Sequence, residues 1–112
     1  MVKDCITVSG TIYSIKKEKD GDLHMRIELD SQYLDLLNDK NNSGQKGMLV
    51  VEPVCQTEPT QKDTISEGLC NGYRQDLHIP NKGTHVSITG VYVTDMEHGW
   101  NEIHPVTSMI PD

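Results

Sequence analysis

The sequence predicts a mainly β fold: a small OB-like five-stranded β-barrel with one short helix and a long, disulfide-stapled loop. Three observations carry this prediction. Alanine and phenylalanine are absent, while Val, Ile, Thr and Tyr fill most apolar runs, which favours strands. Several segments alternate apolar and polar residues. Two of them carry a central glycine, as strands that curl into a barrel do. At 112 residues, we expect residues 1–112 to form one domain.

The first two strands are predicted from their alternation. Residues 6–15 place apolar side chains on one face, and Gly10 interrupts them, which indicates a bulge or bend. A turn at Gly21 leads into residues 23–30, where the alternation is strictest. The residues expected to point inward from this second strand are Leu23, Met25, Ile27 and Leu29.

A short helix is predicted over residues 31–40, with Asp30 or Ser31 as its N-cap. A polar loop follows at residues 41–47. Asn41 begins an Asn-x-Ser pattern there, a common match to the glycosylation acceptor. The usual OB-fold helix lies between the third and fourth strands, whereas this one is expected between the second and third.

The remaining strands are predicted at residues 48–55, 85–95 and 100–109, with Gly90 bending the second of these. Residues 76–80 are a candidate short edge strand. These segments complete a barrel of about five strands.

The three cysteines suggest an oxidising compartment. A disulfide between Cys55 and Cys70 would close a loop of about fifteen residues and contribute ~3 kcal/mol in the chain-entropy model. Reduced, buried thiols are the alternative. Cys5 is left over, so it is either free, paired across a contact between subunits, or paired with a residue outside this sequence. Self-association through Cys5 or through an exposed edge strand is the partner interaction that we expect. We therefore expect a secreted or cell-surface protein whose leader has been removed.

Charge limits the classes of partner. A formal net charge of −7 disfavours nucleic acid, because binding to phosphates rests largely on cationic side chains. No run of residues is apolar enough to span a membrane.

The candidate site centres on the segment His-Gly-Trp-Asn-Glu-Ile-His-Pro at residues 98–105. On a strand, Trp100, Glu102 and His104 share one face. Imidazoles with a carboxylate suit a divalent metal, zinc first and calcium second. Ordinary polar strand residues are the alternative interpretation. The expected metal ligands are His24, His98, Glu102 and His104, and the expected ligand-binding residues are Trp100, Asp95 and Glu52.

Two further interpretations concern the first hairpin and Trp100. Asp20, Asp22 and Asp30 suggest a calcium site at the first hairpin, although Asp-Gly-Asp is also an everyday turn. Trp100 could be a stacking platform or could close one end of the barrel core.

Three longer motifs resemble a family of small, mostly uncharacterised exported proteins of bacteria and archaea. They begin at Asp20, Leu49 and Asp95, and read Asp-Gly-Asp-Leu-His, Leu-Val-Val-Glu-Pro-Val-Cys and Asp-Met-Glu-His-Gly-Trp-Asn-Glu-Ile-His-Pro-Val. The resemblance implies export and one compact domain, and it implies no activity.

The leading functional hypothesis is a non-enzymatic exported binding module that uses its His/Glu face for a metal, a ligand or a partner. One alternative is a subunit of an extracellular homopolymeric or filamentous assembly. Another is a metal-dependent hydrolase with Glu52 or Glu102 as base. Whether the protein is an enzyme stays open, and we favour the view that it is not.

Overall fold

The computed structural model describes residues 4–18, 21–54 and 77–112, which form a closed five-stranded barrel. Its strands neighbour one another in the order β1-β2-β3-β5-β4, and β4 closes onto β1. The pairing of β3 with β5 is parallel, and the other four pairings are antiparallel. The predicted OB-like barrel is confirmed. Its elements in chain order are β1 (Asp4–Lys17), β2 (Leu23–Leu29), a 3-10 helix (Ser31–Leu36), α1 (Asp39–Gly44), β3 (Leu49–Val51), β4 (His85–Thr94) and β5 (Asn101–Pro111).

The helical segment lies between β2 and β3, as predicted, but it is divided in two. The 3-10 helix occupies most of the predicted helix, and α1 lies largely in the predicted polar loop. Asp30 holds the N-cap position of the 3-10 helix without a side-chain capping bond. The predicted N-cap residue is thus confirmed by position, but its carboxylate contacts Ser9 and His85 instead of capping the helix.

Several other predictions concern the loop before β4. Residues 77–80 form no strand, so the expected edge strand is wrong for the part that is described. Cys55, Cys70 and the loop that they would staple lie outside the described residues, and their disulfide stays a prediction. Cys5 is exposed and free.

The barrel interior is built from the alternating apolar residues of the strands. Inward residues of β2 are almost fully buried, while the residues between them are more accessible, as the alternation predicts. Burial of these aliphatic side chains from water is the main force that closes the sheet. The interior cluster comprises Val8, Ile12, Leu23, Met25, Ile27, Leu29, Leu49, Val51, Val86, Ile88, Ile103, Val106 and Met109.

Gly10 and Gly90 stand where strands approach most closely. A Cβ at Gly10 would lie 2.5 Å from the carbonyl oxygen of Glu28, and one at Gly90 would overlap Ile103. The β4–β5 register shifts around Gly90, which marks an irregularity of the ladder at this glycine. In β1 the register shifts between Ile12 and Ser14, whereas Gly10 pairs in register with Leu29, so no bulge is found at Gly10 itself. The missing side chain of Gly10 leaves room for the backbone of β2.

Replacing Gly10 should therefore destabilise the barrel. We expect Gly10→Ala to cost about 1–3 kcal/mol of unfolding free energy, because the methyl group overlaps backbone atoms that cannot rotate away. Gly44→Ala is the matched control, since its Cβ would meet only the Trp100 ring at 3.8 Å. Urea denaturation measures both variants, and equal stabilities would contradict this account.

Asn41 joins α1 to β5 and is fully buried. Its side-chain oxygen accepts hydrogen bonds from the backbone N–H groups of Asn38 (3.1 Å) and Asn101 (2.9 Å). Its amide nitrogen donates to the carbonyl oxygens of Met48 and Asn101, both at 3.0 Å. The bond from Asn38 caps α1, the bond to Met48 reaches the residue before β3, and the two bonds with Asn101 hold α1 against β5. The amide that the glycosylation pattern would modify is thus inaccessible in the folded chain.

Asn41→Ala should unfold at a distinctly lower denaturant concentration than the parent protein. The substitution leaves buried backbone groups without partners, and each such group costs about 1–3 kcal/mol. The neighbouring Asn42 is exposed, so Asn42→Ala serves as a control that should stay close to the parent. A comparable loss of stability in both variants would show that the hydrogen bonds of the Asn41 side chain do not account for it.

Candidate metal centre

Three predicted site residues lie side by side on neighbouring strands. Met25 pairs with Val51 across the antiparallel β2–β3 ladder, so the next pair along is His24 with Glu52. Val51 pairs with Ile103 across the parallel β3–β5 ladder, so the next pair is Glu52 with His104. The backbone after β3 is held on both sides, since Glu52 N–H donates to Ile103 O of β5 and Leu23 N–H of β2 donates to Pro53 O, both at 2.9 Å. His24, Glu52 and His104 therefore form one row, with the carboxylate in the middle, which we call the His-Glu-His row.

The His-Glu-His row lies on the outer face of the barrel, beside the end of α1. Val50 is fully buried although it is not part of the interior cluster, so this stretch of outer wall is covered. Gln45, the C-cap of α1, is 5% exposed, and Glu102 is 3% exposed. Polar groups this deeply buried need partners, and both have an imidazole of the row as one partner.

Gln45 determines which nitrogen of His24 carries a proton. Arg26 Nε can only donate, and it lies 2.9 Å from Gln45 Oε1, so the atom at that position is the amide oxygen. The same oxygen lies 3.2 Å from His24 Nε2, which must therefore donate to it. In the neutral imidazole this places the lone pair on Nδ1.

Glu102 has the corresponding role beside His104. Trp100 Nε1 can only donate, and it donates to Glu102 Oε2 at 3.1 Å. Glu102 Oε1 lies 3.3 Å from His104 Nδ1, and Glu52 Oε2 lies 3.2 Å from the same nitrogen. With the proton of His104 on Nδ1, the lone pair of the neutral ring is on Nε2. A carboxylate that orients a histidine in this way is the usual support of a metal-binding imidazole.

Both lone pairs face carboxylate oxygens. His24 Nδ1 lies 3.3 Å from Glu52 Oε1 and 3.6 Å from Glu18 Oε1. His104 Nε2 lies 3.7 Å from Asp22 Oδ2, beyond the range of a hydrogen bond. A lone pair opposite an anionic oxygen is repulsive, so a cation must stand between them. The cation can be a proton or a metal ion.

The protein's other His–carboxylate pairs show that these distances are long. His98 and Asp95 are 2.9 Å apart, and His85 and Asp30 are 2.8 Å apart, as charge-assisted hydrogen bonds should be. Around the His-Glu-His row the distances are 3.2–3.7 Å. Two ligand atoms bound tetrahedrally to zinc are roughly 3.3–3.4 Å apart.

In the absence of a metal ion, a proton on each imidazole supplies the positive charge. The hydrogen bond with Glu52 raises the pKa of His24, and that with Glu102 raises the pKa of His104, although burial opposes both shifts. Each raised pKa reflects the negative charge that surrounds the ring. A metal ion that binds these imidazole nitrogens would have to displace the protons.

Two groups of ligand atoms are close enough to hold an ion among the described residues, and Glu52 belongs to both. The atoms within each group lie within 4.8 Å of one another. One group is Glu18, His24 and Glu52, and the other is Asp22, Glu52 and His104.

The structure brings together His24, His104, Glu52 and Glu102, and it places the other predicted residues beside them. His98 belongs to neither ligand group: its Nδ1 is bound to Asp95, and its ring stacks on Trp100 with centroids 4.4 Å apart. Asp95 also accepts from the backbone of Glu97 and so shapes the β4–β5 turn. Trp100 is half-buried outside the interior cluster and packs edge-on against His24 at 6.1 Å.

Some contributors were not predicted from the sequence. Glu18 and Gln45 carry no motif, and their roles depend on the β1–β2 turn and on α1. Asp22 was considered for calcium with Asp20 and Asp30, but it lies beside His104, whereas Asp30 lies beside His85. Asp20 is outside the described residues. The regular pairing of β2, β3 and β5 is the one signal that could have grouped these residues.

A second polar cluster lies apart from this site and joins four segments. His85 Nε2 contacts Asp30, His85 Nδ1 contacts Asp112, and Ser9 donates to Asp30. The bond with Asp30 raises the pKa of His85, while the bond from Ser9, followed by that from His85, lowers the pKa of Asp30.

The pH dependence of stability follows from these directions. The His85 contribution is complete below its unfolded pKa of about 6.5 and is lost as the pH rises through the folded pKa. The Asp30 contribution is complete above about pH 4 and is lost as the pH falls through its folded pKa. Melting temperatures of the parent and of His85→Gln should differ most between about pH 4 and 6.5. A difference that grows towards pH 9 would contradict this, and the exposed His78→Gln is the control.

Comparisons with known proteins add no constraint on this site. The scan against family models, the search of curated proteins and the search of solved structures each found no significant match. In the part of the chain that is described, no helix has the length and apolar character needed to cross a membrane.

Proposed function

We propose that this protein is a non-enzymatic binding module that holds a divalent metal ion at the His-Glu-His row. The ligands are drawn from His24, Glu52 and His104, together with Asp22 and Glu18. Glu102 orients His104 rather than binding the ion, and Gln45 does the same for His24.

The supporting observation is that each imidazole has one nitrogen occupied by a buried acceptor and the other directed at carboxylates. Gln45 Oε1 lies 3.2 Å from His24, and Glu102 Oε1 lies 3.3 Å from His104. An ordinary surface histidine gains nothing from such double support. A metal ligand does, because fixed orientation raises affinity.

The ligand chemistry favours zinc over calcium. Two imidazole nitrogens together with carboxylate oxygens suit a borderline ion. Calcium takes six to eight oxygen ligands and has little affinity for imidazole. Manganese would fit the same mixed set less tightly.

Metal binding should stabilise the fold. Zinc at about 100 times its dissociation constant should raise the unfolding free energy by about 2.7 kcal/mol, because the site is assembled only in the folded chain. Tag-free protein, stripped with a chelator and dialysed, is titrated with zinc chloride and followed by calorimetry. No heat of binding and no shift in melting temperature would refute the proposal.

Variants separate this site from the neighbouring histidine. His104→Ala should weaken zinc binding by at least an order of magnitude, since it removes a ligand and uncouples Glu102. His98→Ala should leave the affinity unchanged, because His98 belongs to neither ligand group. Equal losses in the two variants would place the metal elsewhere on the last hairpin.

Export of the protein, the Cys55–Cys70 disulfide and self-association through Cys5 belong to the same proposal. They rest on the cysteine pattern and on the family resemblance of the sequence. The exposed, free thiol of Cys5 is compatible with self-association.

A further inference from the structure

We infer that the site holds two divalent ions bridged by Glu52, one coordinated with His24 and Glu18 and the other with His104 and Asp22. This inference rests on the proposed metal binding and adds the number of ions and the ligands of each. A single ion shared by both imidazoles is the arrangement that it replaces.

Glu52 has the geometry of a bridging ligand. Its Oε1 lies 3.3 Å from His24 Nδ1, its Oε2 lies 3.2 Å from the protonated Nδ1 of His104, and among the described residues Glu52 is common to both ligand groups. Each oxygen therefore serves a different imidazole. A carboxylate shared in this way joins metal ions that are about 3.5–4 Å apart.

Each half of the site has its own carboxylate beyond Glu52. Glu18 faces His24 at 3.6 Å, and Asp22 faces His104 at 3.7 Å. The two residues flank the β1–β2 turn. A single ion would leave the other imidazole in an ordinary ion pair, protonated, beside its carboxylate. With two ions, both imidazole nitrogens that face carboxylates act as ligands.

Each half also has its own orienting residue. Gln45, which Arg26 holds, supports His24, and Glu102, which Trp100 holds, supports His104. These two supports come from different elements, α1 and β5. The two imidazoles are thus oriented independently of each other, so each half can bind an ion through its own ring. The four carboxylates Glu18, Asp22, Glu52 and Glu102 can offset the charge of two divalent ions.

The number of ions per chain tests the inference directly. Tag-free, chelator-stripped protein is loaded with zinc, and the complex is counted by native mass spectrometry alongside calorimetric titration. We expect two zinc ions per chain. One ion per chain would overturn the inference and leave the proposed metal binding intact. No ion would refute the proposed function itself.

Two variants test the division of ligands. His24→Gln and His104→Gln should each retain one zinc ion, because each leaves the opposite half of the site complete. His98→Gln is the control and should retain two. Loss of all zinc in both single variants, with circular dichroism showing folded protein, would show that the imidazoles serve one shared ion.

Manganese gives a second test that needs no substitution. Two Mn²⁺ ions bridged by a carboxylate are magnetically coupled, so the six-line electron paramagnetic resonance signal of isolated Mn²⁺ should broaden or disappear as the second ion binds. A six-line signal that persists through the binding of two equivalents would contradict the bridge.

Discussion

The candidate site depends on the alignment of β2, β3 and β5. Because β3 pairs antiparallel with β2 and parallel with β5, the residue that follows β3 has a residue of β2 on one side and a residue of β5 on the other. That residue is Glu52, and its neighbours are His24 and His104. A slip of one residue in either ladder would turn a histidine to the opposite face of the sheet and separate the row. The closed barrel prevents such slips, since its interior residues must all stay buried.

Buried polar groups then determine what the row can bind. Arg26 and Trp100 only donate hydrogen bonds, so they fix the orientation of Gln45 and Glu102, and these in turn fix the protons of the two imidazoles. The remaining lone pairs face anionic oxygens. This arrangement has a high cost in the absence of a positive charge, and the raised pKa values of both histidines are its signature. The same electrostatic demand that retains protons would favour a divalent ion.

Much of the fold was predictable from local patterns, and so was part of the site. The alternation of β2 and the mid-strand glycines indicated a barrel, and the two-residue spacing placed Trp100, Glu102 and His104 on one face, where their contacts confirm it. Gln45 could not be predicted, because its burial arises from α1, in a segment with the composition of a loop. His98 lies in the same motif as His104, but its Nδ1 is hydrogen-bonded to the Asp95 carboxylate in the β4–β5 turn. The spacing of residues in the sequence does not reveal such a local hydrogen bond.

The most direct measurement of the central claim is the protonation of the two histidines, recorded by nitrogen-15 nuclear magnetic resonance of their side chains as zinc is added. The account predicts that His24 keeps its proton on Nε2 and binds through Nδ1, whereas His104 keeps its proton on Nδ1 and binds through Nε2. Both rings should be protonated on both nitrogens in metal-free protein at mildly acidic pH. Neutral rings at that pH, with nitrogen shifts that zinc does not change, would contradict the account.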